Sequence, residues 1–126
     1  MIKKEGPGWR IIIDSSRNNF STLIGGQNWA IELNQSEWAT LVGLVIDLSD
    51  QHANFKEQLM GEEDITLELE RSPWLAILKG DQYGWNLKLI LSSSCLLNRG
   101  AEIYWPKSVT NHVANAMRTM WDSGYL

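Results

Sequence analysis

The stretch NQSEWATLVGLVIDLSDQHANFKEQLMG, Asn34 to Gly61, decides the fold. Trp38, Leu41, Val45, Leu48, His52, Phe55 and Leu59 follow one another at alternating spacings of three and four, which is the seam of a helix. Ala39, Val42, Ile46 and Ala53 widen that apolar stripe. Thr40, Asp47, Asp50, Asn54 and Glu57, with Gly43, repeat the spacing on another, mostly polar face. Asn34 is placed to cap, Glu37 completes a capping box three residues on, and Leu33 and Trp38 are set as a hydrophobic staple. Gly61 is expected to supply a left-handed stop. A helix of that extent is about 39 Å long, the width of a small domain. The remaining chain is therefore expected to wrap it.

Short strands are predicted on both sides. Lys3 to Gly8 reads as a charged leading segment. Trp9 to Asp14, Phe20 to Ile24 and Trp29 to Leu33 then read as three strands, separated by Ser15 to Asn19 and by a Gly25-Gly26-Gln27-Asn28 turn. Beyond the helix, Ile65 to Glu70 alternates with Thr66, Glu68 and Glu70 facing water. Trp74 to Lys79, Trp85 to Leu91 and Ala101 to Trp105 complete the strands. Pro106 suits a helix start. Val109, Val113, Ala116, Met117, Met120 and Trp121 form that helix's stripe before Gly124 ends it. An offset of 72 residues lays Ile31 on Ile103, Leu41 on Val113 and Leu48 on Met120, the mark of an internal duplication with halves about 9–61 and 65–124. The expected fold is one α+β domain over residues 1–126, with two curved antiparallel sheets and two packed helices.

Composition narrows the functional classes. The chain has 126 residues, a net charge of −4 and seven tryptophans. An acidic chain with pI about 5.1 lacks the basic character of a general nucleic-acid clamp. Cys95 is the single cysteine, so no internal disulfide forms and a reducing, cytoplasmic location is expected. Met1 to Gly6 has no secretion-signal pattern, and the apolar run Trp38 to Ile46 is too short to span a bilayer, so no membrane partner is expected.

Catalytic and metal-binding patterns are weak. His52 has Leu48, Ser49, Phe55 and Lys56 one turn away, and His112 has Ser108 and Ala116; neither neighbourhood supplies a second ligand. Cys95 reads as an inert buried thiol, and Ser92-Ser93-Ser94 as a strand end or bulge without a nucleophile-elbow frame. Glu62-Glu63-Asp64 reads as a solvated turn. Gly25-Gly26 lacks the Lys-Ser/Thr of a phosphate loop. No enzyme activity, metal or cofactor is expected.

The tryptophans offer a binding reading. Trp29, Trp38, Trp105 and Trp121 fall on predicted core faces. Trp74 and Trp85 begin strands, and Tyr83 sits in the adjoining loop. Exposed, these three would stack on bases, with Arg10, Arg71, Lys79 and Lys88 for phosphates.

Lys4-Glu5-Gly6-Pro7-Gly8-Trp9-Arg10 and Gly25-Gly26-Gln27-Asn28-Trp29-Ala30-Ile31-Glu32-Leu33 resemble a small cyanobacterial family of uncharacterised function, over essentially the whole chain. Members of that family resemble in fold the Whirly and positive-cofactor-type transcriptional regulators, which bind single-stranded DNA. The resemblance implies two strands-then-helix units about a pseudo-two-fold axis, and a single-stranded nucleic acid as partner. The chain shows three strands rather than four in its first half, and no Lys-Gly-Lys-Ala-type segment. Two functions are therefore expected in order: a non-enzymatic binding module for single-stranded nucleic acid, or a protein-interaction or oligomerisation module on the same fold. Open sheet edges and a wide helical stripe also predict a dimer or larger cyclic assembly.

Overall fold

The computed structural model describes residues 1–92 and 98–124. Four strands, β1 (Ile2–Gly6), β2 (Trp9–Ile13), β3 (Thr22–Gly26) and β4 (Ala30–Leu33), lead into helix α1 (Gln35–Phe55). Four more, β5 (Ile65–Arg71), β6 (Trp74–Asp81), β7 (Gly84–Leu91) and β8 (Ala101–Trp105), lead into α2 (Lys107–Asp122). Each set forms its own antiparallel sheet in sequence order. Gln35 and Lys107, which open the two helices, stand at the same 72-residue offset as the sequence repeat.

The first half thus has four strands, not three. Ile2 pairs with Ile13 and Gly6 with Trp9, so the leading segment is a full strand. Its signal was Pro7-Gly8: proline pre-sets φ at the first turn position, and Gly8 takes φ +81, which a side chain disfavours. Gly25 and Gly26 also depart from expectation. They lie inside β3, paired with Arg10 and Trp9, and the turn comes after them.

Helix α1 begins as read. Asn34 Oδ1 accepts from the Glu37 N–H at 2.8 Å, and Glu37 Oε1 accepts from the Asn34 N–H at 2.9 Å. Its end differs. The helix stops at Phe55, tightens into a 3₁₀ turn over Lys56–Gln58, and so spans about 31 Å rather than 39 Å. Gly61 does not take the left-handed conformation that Gly124 does after α2. The buried seam runs from Trp38 to His52, whereas Ala53 and Phe55 are exposed. Trp121 is likewise 51% exposed and not core.

The two sheets and two helices share one hydrophobic cluster that includes Ile11, Ile24, Leu33, Trp38, Leu78 and Met117. Indole donors join its parts. Trp105 Nε1 donates to the Gly25 carbonyl and Trp29 Nε1 to the Tyr104 carbonyl, each at 3.0 Å, and their rings lie 5.3 Å apart. Trp74 Nε1 donates to the Glu37 carbonyl at 3.0 Å, and Trp85 Nε1 to Asn111 Oδ1 at 3.1 Å. A tryptophan supplies a large apolar surface and one donor, which suits the seam between two units. Arg99 adds a polar tie, donating to Glu37 Oε1 at 2.5 Å and to the Glu32 carbonyl.

The edge strands are β1 and β4 in one sheet and β5 and β8 in the other; β1 carries Lys3, Lys4 and Glu5, and β5 carries Glu68 and Glu70. Charged edges resist sheet-to-sheet pairing.

Candidate interaction surface

The outward face of the second sheet follows from alternation. On β6, Trp74, Ala76 and Leu78 are buried, so Leu75, Ile77 and Lys79 point the other way. On β7, Trp85, Leu87 and Leu89 are buried, which leaves Asn86, Lys88 and Ile90 outward. Thr66, Glu68 and Glu70 of β5 and Glu102 and Tyr104 of β8 share that side.

Register arranges these side chains in rows. Glu70 pairs with Leu75, Leu75 with Ile90, and Ile90 with Glu102. One step along, Glu68, Ile77, Lys88 and Tyr104 form the next row. Leu75, Ile77 and Ile90 therefore adjoin at the centre beside Lys88, with Glu68 and Glu70 on one border and Glu102 and Tyr104 on the other. Lys88 Nζ lies 2.6 Å from Glu102 Oε1. Tyr104 is 49% exposed. It was missed in the sequence, although its alternation with buried Ile103 and Trp105 marks it as outward. The first sheet repeats the plan more thinly, with Lys3, Ile12, Leu23 and Glu32 in one row.

The seven sequence-predicted site residues do not assemble into one groove. Trp74 and Trp85 are each 1% exposed and belong to the core, so stacking by either is ruled out in this structure. The strand-starting positions that suggested exposure are inward positions of β6 and β7. Tyr83, at the tip of the β6–β7 hairpin, is 78% exposed. Lys79 and Lys88 lie on the outward face. Arg10 is on the first sheet, paired across strands with Glu5 and Gly25. Arg71 turns to α1 and pairs with Asp47.

Two hollows flank these features. One, of about 430 Å³, lies between the helices and is lined by Gly43, Ile46, Asp47, Arg71, Arg118 and Trp121. Its cations are already paired, Arg71 with Asp47 and Arg118 with Asp50. The other, of about 380 Å³, gathers Asp64, Thr66, Lys79, Asp81, Asn86 and Lys107. There Lys107 Nζ donates to Asp81 Oδ2 at 2.7 Å. That bond first, and the Tyr83 N–H second, hold the Asp81 carboxyl below its ordinary value of 3.8. A lowered folded value stabilises the protein above the ordinary carboxylate range, and the benefit fades as pH falls below it. Lys107→Met is therefore expected to move the Asp81 titration upward, as followed by carboxyl NMR. An unchanged midpoint would show that the backbone donors alone set it.

His52 is buried, and its Nε2–H donates to the Asp81 carbonyl at 2.7 Å, which ties the end of α1 to the base of the hairpin. His52 is thus a buried histidine with a hydrogen-bond partner. His112 is exposed on α2. Glu62, Glu63 and Asp64 form an exposed turn in which Glu63 Oε1 accepts from the Met60 N–H. Cys95 and the Ser93-Ser94 pair lie outside the described residues. Among the described residues, no three His, Cys, Asp or Glu side chains gather as a metal site, and no helix is long and apolar enough to cross a membrane.

Fold and surface together define an α+β protein of two four-stranded antiparallel sheets and two helices, with glutamates bordering a partly aliphatic sheet face. The model of a family described as a domain of unknown function, DUF1818, matches residues 4–120. The chain belongs to that family. It is similar to a crystal structure from Prochlorococcus sp. NATL2A, described as a protein with unknown function from the DUF155 family. The two share 75% identity and a TM-score of 0.92, over 96% of this chain and 99% of that one. No curated protein matches.

Proposed function

We propose that the chain is a non-enzymatic binding module whose working surface is the outward face of the second sheet. The observation that carries this reading is the contiguous, half-buried set Leu75, Ile77 and Ile90, which lies outside the hydrophobic cluster on the two central strands. Single surface aliphatics are ordinary, but three adjacent ones on one face mark a surface that gains from being covered. A protein partner is favoured over nucleic acid. The face sets three glutamates against two lysines, and the two tryptophans expected to stack are core residues. Affinity capture from cell extract should retain proteins on the wild type that Leu75→Ser/Ile77→Ser loses. Identical sets of retained proteins would defeat the proposal.

The exposure of Tyr83 and Tyr104 favours a second reading, in which a single strand crosses the same face. Tyr83 and Tyr104 would stack, and Lys79 and Lys88 would meet phosphates. Fluorescence anisotropy with a labelled single strand separates the two readings. Under the protein-partner reading, no saturable binding is expected at about 100 μM protein in about 50 mM salt. Binding that weakens in both Tyr104→Ala and Lys79→Glu would establish the nucleic-acid reading instead.

A further inference from the structure

We propose that the outward face of the second sheet receives a basic amphipathic helix of another protein, an inference that rests on reading this face as the working surface. Adjacent strands are about 4.8 Å apart, so three spacings set Glu70 and Glu102 about 14 Å across the sheet. A helix with its side chains is about 10–12 Å wide and fits between these borders. Its apolar stripe lies over Leu75, Ile77 and Ile90. Lysines or arginines flanking the stripe reach Glu68 and Glu70 on one side and Glu102 on the other.

Charge selects this occupant. Among the described residues no cation pairs with Glu68 or Glu70, whereas Glu102 is shared with Lys88, so the stronger attraction falls along β5. The same face of a second copy would bring the same acids against them, and a nucleic acid would bring phosphates. An added β-strand needs an open edge, not a face. The equivalent row of the first sheet carries one cation and one carboxylate, Lys3 and Glu32, and so has no border of a single sign. The basic preference therefore belongs to the second sheet.

The test uses a labelled helical peptide of about 18 residues, with a leucine stripe flanked by lysines, and its counterpart with glutamate at every lysine. Anisotropy is expected to show saturable binding of the lysine peptide and about tenfold weaker binding of the glutamate peptide. Leu75→Ser/Ile90→Ser should weaken the lysine peptide about tenfold. Glu68→Lys/Glu70→Lys changes only exposed side chains and should reverse the preference, with an unchanged circular dichroism spectrum as the control. Equal binding of the two peptides, or full binding by Leu75→Ser/Ile90→Ser, overturns the inference. Preference for the glutamate peptide, lost in that variant, overturns the inference but leaves the face as the working surface. Tight binding of a single-stranded oligonucleotide that Tyr104→Ala abolishes overturns both.

Discussion

Trp38→Ala is expected to lower the unfolding free energy by about 3–5 kcal/mol, the usual range for removing a large buried aromatic. Trp38 is buried at the first turn of α1, and the surrounding Leu33, Leu41 and Val42 are fully enclosed, so the vacated space has little means of collapsing. The phenylalanine variants sharpen the test. Trp38 Nε1 finds no hydrogen-bond partner among the described residues, so Trp38→Phe removes volume and also an unsatisfied donor. Trp105 Nε1 donates to the Gly25 carbonyl, so Trp105→Phe removes volume and strands an acceptor. An unsatisfied buried group costs about 1–3 kcal/mol, and Trp105→Phe should therefore be the more damaging of the two. Denaturant unfolding at equilibrium measures both. A loss below about 1 kcal/mol for Trp38→Ala would show that its site collapses, and the reverse order for the phenylalanines would show that the indoles are not ranked by their donors.

Arg99→Met is expected to cost about 3 kcal/mol, far more than an exposed ion pair. The Glu37 side chain is 7% exposed and that of Arg99 21%. Glu37 Oε1 also accepts from the Asn34 N–H, so the capping box and the ion pair share one carboxylate. Removing the guanidinium leaves that carboxylate enclosed with a single backbone donor. It also frees the Glu32 carbonyl and the contact over the Phe20 ring. Glu37→Gln/Arg99→Met should recover much of the loss, because no uncompensated charge stays buried. Additive losses in the double variant would mean that the two residues act separately.

These residues show how far the sequence could be read. The seam from Trp38 to His52, the capping box and β5 were legible because each rests on local periodicity or on residues three apart. The 72-residue offset matched the two helix starts for the same reason. Residue type at a strand's first position does not fix its face, so Trp74 and Trp85 were misjudged until register set them inward. Nothing local marks Arg99, since its partners Glu37 and Glu32 lie more than sixty residues away. The acid-bordered aliphatic rows exist only once four strands are laid side by side. Each strand alone shows plain alternation.

The separation of local and distant contacts also orders events in time. Within each unit, every strand pairs with its neighbour in sequence, so the meanders close short loops at little entropic penalty. The ties between units span 75 residues for Trp29 to Tyr104 and 80 for Trp105 to Gly25. Contacts of such range form late in folding. Far-ultraviolet dichroism should therefore rise first, and the share of the tryptophan emission that comes from Trp29 and Trp105 should shift to the blue later, when the two sheets meet.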